Sequence, residues 1–367
     1  MFVQMFKKPT FIKSTEEDQN FILLKEKVKE RLSLEEKNYE NQIKAFVLPF
    51  IYFLFWCLAI QYKLTPALYF LFFGFMGIMT TLIFVNLIHE ACHNTLFEKK
   101  WKNKVMMYFF DCMGANSFIW MNRHISMHHN YPNTIGWDSD IEQGNPLKLF
   151  PSETFSPIQK YQHYWIFLLY PLFLLNWLLV RDFRDFYSSK RYIRKFVKIP
   201  LTEHFKLWFF KLLFFSYAII IPVLVFNIEL SQAIVGFLVQ MICGSLLGMV
   251  ILLTPHVNVG NEFPITNEDF KLQTSWIRHQ FNTTNDLNGE NFISKHLMNN
   301  FNYHLAHHLF PNINSAYLPK VTEIIKEFAL EHQFPYKSYS LIKAFRLHHQ
   351  LIKKNAIQTP FIFEETM

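Results

Sequence analysis

The sequence predicts an all-α membrane protein with four transmembrane helices in two hairpins, interfacial helices beside them and a histidine-rich cap. Three observations carry this. The chain is 51% hydrophobic and 18% aromatic, with 42 phenylalanines in 367 residues, which is heavy for a water-soluble protein. The excess sits in runs without a charge, above all 67–88 and 233–253, each of a length that crosses a hydrocarbon core of roughly 30 Å. Eight of the sixteen histidines fall in three tight clusters outside those runs.

The elements follow in order. Residues 1–44 are polar and lysine-rich, so no secretory signal is expected there. Ser14 with Glu17 has the spacing of a capping box opening a charged helix over 14–44. The main domain is placed at 45–345. Its first hairpin joins spans at about 45–62, interrupted by Pro49, and 67–88; its second joins 212–228 and 233–253. Lys206 and Lys211 are placed to snorkel from the third span. Residues 89–211 and 254–345 form the cap, and 346–367 a tail. Within the cap, Pro132, Gly136, Gly144, Pro146 and Pro151 mark 130–160 as loop; 259–275 is a second, polar loop, and 318–330 is helical.

Parity fixes the rest. For three clusters to share one site they must lie on one side of the membrane, so the uncharged run 164–180 must not cross; it and 105–120 are read as interfacial. Lysine and arginine are dense at 7–44, 181–211 and 317–354, whereas the hairpin tips 61–66 and 228–232 carry only Lys63. The positive-inside rule then puts the site on the cytoplasmic side. These flanking charges explain the net charge of +7 and argue against a nucleic-acid partner, which would want a separate basic domain. Cys57, Cys92, Cys112 and Cys243 show no CxxC spacing, so neither a disulfide framework nor an iron–sulfur site is expected.

The clusters are His89 and His93; His124, His128 and His129; His304, His307 and His308. Each contains an i,i+3 or i,i+4 pair, which on a helix shares one face and can converge on one ion. Eight imidazoles exceed one four-coordinate ion, so the economical reading is a two-metal site. His89-Glu90-Ala91-Cys92-His93 also matches the HExxH helix of zinc metalloproteases, but that reading leaves two clusters unexplained. Glu90 is then a supporting or surface residue rather than a base. Histidines without an evident carboxylate set, beside long apolar spans, suit a redox metal pair acting on a lipid chain, whose C–H bonds acid–base side chains cannot break. Spacing alone leaves the metal, and the choice between dehydrogenation and hydroxylation, open.

These clusters resemble the HxxxH, HxxxHH and HxxHH boxes of integral-membrane fatty acid desaturases, of the bacterial acyl-CoA or linoleoyl-CoA type. The likeness runs on through Asn130-Tyr131-Pro132-Asn133-Thr134-Ile135-Gly136-Trp137-Asp138-Ser139-Asp140, Tyr161-Gln162-His163, and Arg181-Asp182-Phe183-Arg184-Asp185. It continues in Pro255-His256-Val257 with Glu262-Phe263-Pro264, in Trp276-Ile277-Arg278-His279-Gln280 with Thr283-Thr284-Asn285, and in Asn302-Tyr303-His304 through Pro311 to Phe334-Pro335-Tyr336. It covers roughly 85 to 345. It departs at His304, where many relatives carry glutamine, and at Trp137, where a small or charged residue is commoner.

The resemblance implies a di-iron centre using O2, with His89, His93, His124, His128, His129, His304, His307 and His308 as ligands. It adds His256 as a ninth; alone, that residue reads as an ordinary helix-end histidine. Asp138 and Asp140 are placed to orient imidazoles, with turn caps an equal reading, and His279 as a supporting or structural residue. His163, His204, His296, His332, His348 and His349 are assigned to the interface or surface. Gly244 and Gly248 form GxxxG, which implies close helix packing or, more sharply, room for an acyl chain. The implied reaction is desaturation of a fatty acyl chain carried by CoA, acyl carrier protein or a membrane lipid. A lipid hydroxylase or acetylenase would share the ligands. No haem, flavin or nicotinamide signature is present, so electrons are expected from a separate ferredoxin or cytochrome b5 type donor and its reductase.

Overall fold

The computed structural model describes residues 7–141, 147–150 and 156–356. Gly144, Pro146 and Pro151 of the predicted loop lie outside them, as does the tail beyond 356. The described chain is mostly helical, with two two-stranded parallel pairs, β1 (Thr10–Phe11) with β2 (Lys271–Leu272) and β3 (Asp286–Leu287) with β4 (Ser338–Tyr339).

After α1 (Thr15–Ser33), four helices are long and apolar enough to cross a membrane: α2 (Glu40–Gln61), α3 (Pro66–Cys92), α6 (Leu201–Leu224) and α7 (Leu230–Leu252). The third starts at Leu201 rather than 212. Its sequence stays apolar back through Trp208 and Phe205, and Glu203 is tied to Lys206 at 2.7 Å. Lys211 does not snorkel. It is 3% exposed, and its ammonium donates to the carbonyls of Gly114 and Leu178 and to Asp182 at 2.6–2.7 Å. A buried carboxylate supplied by another segment makes burial cheaper than reaching for water.

The four helices form an inner and an outer pair. About half of the most apolar window of α3 and 44% of that of α7 is buried, against 17% for α2 and 28% for α6. The outer pair therefore turns Phe46, Phe50, Phe205 and Phe209 outward. α3 and α7 meet through glycine. A Cβ on Gly77 would come within 2.1 Å of the Gln240 carbonyl, and one on Gly244 within 2.8 Å of the Gly77 carbonyl, so the backbones touch as small residues allow. Gly244 thus packs helices, whereas Gly248 meets only Thr81 Oγ1, at 3.7 Å, and borders a cavity.

The cap gathers at one end of this bundle. It holds α4 (Lys100–Cys112), α5 (Ser117–Arg123), α8 (Trp276–Thr283), α9 (His304–Leu309), α10 (Leu318–Glu331) and α11 (Leu341–Ala356). The 164–180 run belongs to two helical segments, Pro157–Leu168 and Tyr170–Tyr187, that meet at 69°. Their first arm exposes Ile158, Tyr161, Tyr164, Phe167 and Leu168. Residues 9–11 lie on the cap side too, because β1 pairs with β2 and the Tyr131 hydroxyl donates to Pro9 O at 2.9 Å. At α1, Ser14 Oγ caps the Glu17 amide, but the Glu17 carboxylate goes to Ser275 and Arg278 of α8, so the capping box is half made.

Candidate metal centre

The nine histidines come from four places on the chain and meet in one buried volume. α3 ends at His89 and His93; α5 runs on into a π turn, His124–His128, followed by His129. His256 lies just past α7, and α9 carries His304, His307 and His308. None is more than 7% exposed. They divide into two adjoining groups whose ring nitrogens lie within 4.8 Å of one another: His89, His93, His124, His129 and His307, and then His128, His256, His304 and His308.

Helical spacing explains part of this division. The i,i+4 pairs His89/His93 and His304/His308 each stay in one group. His124 and His128 part between these two all-histidine groups, contrary to the expectation for an i,i+4 pair, although both also offer a nitrogen within 4.8 Å of Asp140. The π turn, with His129 N bonded to His124 O at 3.0 Å, brings i and i+5 into register. His124 therefore faces His129, their Nε2 atoms 3.1 Å apart, and His128 turns to the second group. A second π turn, Phe84–Ile88, precedes His89; such turns recur at functional sites.

The inward atoms are Nε2. His124 and His89 approach to 3.2 Å, His307 and His129 to 3.1 Å, His256 and His308 to 3.1 Å, and His304 and His256 to 2.8 Å. The outward Nδ1 atoms of His129 and His304 are buried without a partner among the described residues. Four others donate to fixed acceptors: His124 to Asp140 at 2.9 Å, His128 to Asp138 at 3.0 Å, His256 to Thr283 O and His308 to Gln280 Oε1, both at 3.2 Å. This fixes the tautomer and points a lone pair inward, as metal-binding imidazoles require. Burial holds His93 and His256 down to about 3, and burial with neighbouring imidazoles keeps His124, His129, His304, His307 and His308 well below the usual value. At His128 burial acts the same way, but the Asp138 carboxylate outweighs it and raises the pKa. His93 Nε2 is buried without a protein partner. Converging imidazole nitrogens, kept neutral by burial except at His128, fit two imidazole-binding metal ions.

Supporting residues come from loops and from α5 and α8, through contacts that spacing rules do not read. Asp138 also accepts from the amides of Asn133, Asp140 and Ile141. Asn133, at φ 57°, donates to the carbonyls of His256, Glu262 and Thr283. Gln280, adjacent to the predicted His279, reaches both His308 and His129 O; His279 itself faces Thr134 Oγ1 at 3.4 Å. Asp286 accepts from Leu305 N and from the Tyr336 hydroxyl, both at 2.8 Å, anchoring α9. Arg123, fully buried, stands 3.3 Å from Asp140 and 2.5 Å from Asp185. The sequence signal for them is that Asn133, Asp185 and Gln280 lie within the desaturase-like motifs and Asp286 directly beside one.

Glu90 is buried, not at the surface. Its carboxylate accepts from Thr95 Oγ1 at 2.8 Å and Asn314 Nδ2 at 2.9 Å, stapling the first cluster to the loop after α9. His348, expected at the surface, is 1% exposed and holds Val257 O at 2.6 Å and Tyr170 at 2.5 Å. His163 is 7% exposed; His296 pairs with Glu40 at 2.8 Å.

A cavity of about 120 Å³ opens on this centre, walled by His89, His124, His128, His256 and His304 on one side and Phe173, Trp177, Leu252 and Leu253 on another. Phe84, Phe173, Trp177 and Leu252 also wall a second, more apolar space of about 60 Å³ that reaches Thr81, Gly114, Met241 and Gly248 between the helices.

Against this geometry, a model described as fatty acid desaturase matches residues 63–340. The chain belongs to the fatty acid desaturase family. Among similar desaturases, an sn-1 linoleoyl-lipid 6-desaturase of Synechocystis sp. is 27% identical over 71% of this chain and 72% of its own. An acyl-lipid (8-3)-desaturase of Physcomitrium patens is 26% identical over 95% and 74%, and one of Mortierella alpina 25% over 71% and 59%. Membership in the desaturase family, with buried imidazoles grouped as above, accounts for the centre as a metal site acting on acyl lipid.

Proposed function

We propose that this chain is an O2-dependent fatty acyl desaturase that inserts a C=C bond with two iron ions held by His89, His93, His124, His129 and His307, and by His128, His256, His304 and His308. The observation that carries the reading is that the two groups face a cavity sharing Phe84, Phe173, Trp177 and Leu252 with a more apolar space between α3 and α7. When bound, iron with O2 supplies the cleavage of unactivated C–H bonds. The chain supplies the rest. Asp138, Asp140, Gln280 and the Thr283 carbonyl hold the imidazoles in one tautomer. Phe84, Trp120, Phe173 and Leu252 exclude water and hold a methylene chain against the imidazole wall, leaving its methyl end toward Gly114 and Gly248. The substrate class is an acyl lipid, in keeping with the names of the relatives.

Parity, the 69° bend between the two segments of 157–187 and the Lys/Arg distribution support four crossings with the cap on the cytoplasmic side. Electrons come from a separate donor of ferredoxin or cytochrome b5 type with its reductase. Gas chromatography–mass spectrometry of lipids from a host expressing the chain should show a new double bond, absent with His308→Ala. A hydroxylated chain in its place would assign the hydroxylase reading.

A further inference from the structure

Two basic segments far apart in the sequence meet on the cap beside the second histidine cluster. Lys190, Arg191, Arg194, Lys195 and Lys198 follow Asp185 with no carboxylate before Glu203, and Lys7 and Lys8 stand where none precedes Glu16. Lys7, Lys8, Lys190 and Lys198 are exposed. Arg191 turns inward to Asp185 at 2.7 Å, and the Lys195 ammonium lies 4.8 Å from the centre of the Tyr192 ring. Both segments reach a notch of about 120 Å³ whose walls include Lys8, Met127, Tyr131, Trp137, Ile193 and Phe196.

The notch approaches the metal centre along two stretches of chain. Met127 immediately precedes His128. Trp137, with its ring centre 5.3 Å from that of Phe196, precedes Asp138, whose carboxylate holds His128 Nδ1 at 3.0 Å. Forming one C=C bond with O2 takes two hydrogens from the acyl chain and two electrons and two protons from outside, and releases two waters. In the desaturase reading, on which this inference rests, a separate protein delivers those electrons. An electron crosses protein quickly only over a short distance, so the carrier has to dock where the wall is thin, and positive potential there draws an acidic partner. The other basic run without a carboxylate, Lys343 to Lys354 of α11, lies elsewhere. Its helix packs over Leu149 and Val257 of the substrate cavity and against the arm exposing Ile158, Tyr164 and Leu168, beside the acyl chain and the bilayer. We propose that the basic face around the notch docks an acidic one-electron carrier protein, which reduces the metal centre from the His128 side.

The test titrates the full chain, in phosphatidylcholine nanodiscs, with an acidic [2Fe–2S] ferredoxin and with an acidic soluble cytochrome b5. Wild type should bind at least one of them, more weakly as ionic strength rises. Lys8→Glu with Lys190→Glu and Lys198→Glu should weaken that binding at least about tenfold; Lys343→Glu with Lys353→Glu should leave it unchanged. Iron-loaded enzyme reduced with dithionite and then given O2 needs no carrier, so the triple variant should match wild type in single-turnover product. That match shows the variant is folded; where it fails, Lys190→Gln with Lys198→Gln takes its place. Equal loss in the α11 variant overturns the inference. So does unchanged carrier affinity in the triple variant with weaker retention on phosphatidylserine vesicles, which would assign the face to anionic lipid. Product from dithionite-reduced wild type that binds neither carrier overturns the docking and keeps the desaturase reading. No product from it sinks that reading, and the docking with it.

Discussion

What each outward Nδ1 touches governs how well its imidazole binds a metal. Asp138 is the clearest case: it is buried, fixed by three backbone amides and bonded to His128. Asp138→Asn should weaken metal affinity about 10–100-fold, read by chelator competition, while membrane insertion is unchanged; unaltered affinity would show that this carboxylate only caps its turn. Asp286 makes a different statement. Burial raises its carboxyl to about 6 from an ordinary 3.8, against the pull of its Leu305 and Tyr336 hydrogen bonds. The folded chain therefore keeps this proton to higher pH than the unfolded chain, and the contribution to stability falls as pH rises from about 4 to about 6. Asp286→Asn mimics the protonated form throughout, so it should gain on wild type by up to about 3 kcal/mol across that window and level off above it. Thermal unfolding in detergent at several pH values checks this; a difference that does not vary with pH would contradict it.

At the scale of elements, two of the glycines of the inner pair, Gly77 and Gly248, have separate tasks. Gly77→Val should prevent assembly, because its Cβ lands on the Gln240 carbonyl. Gly248→Leu should insert normally yet favour shorter acyl chains, because the added side chain enters the inner space. Competition between acyl chains of graded length reads this out, and unchanged length preference would remove that space from the substrate path. The same scale shows what the sequence held and what it lacked. The spans and the three clusters were legible, because charge-free runs and i,i+4 spacing are local patterns. The split between His124 and His128 was not, since a π turn changes register without a composition signal. Lys211 was misplaced because its partner, Asp182, is distant in sequence. Glu90, Gln280 and His348 act through loops and long-range contacts that periodicity does not encode.

For the whole molecule, the account requires the cap, the amino terminus and α11 to share one side of the membrane, opposite the tips near Lys63 and Glu229. Single cysteines introduced at Lys190 and Lys63 of a variant lacking the native cysteines should label from opposite faces, the former from the cytoplasm. Labelling of both from one face would break the four-crossing arrangement. The family, the buried imidazoles and the cavity beside them lead to one claim, that the nine histidines hold a pair of metal ions. Metal analysis of the purified chain tests it most directly. About two iron per chain, falling to about one in His256→Ala, is the predicted result; a single ion, or zinc accompanied by Glu90-dependent proteolysis, would contradict it.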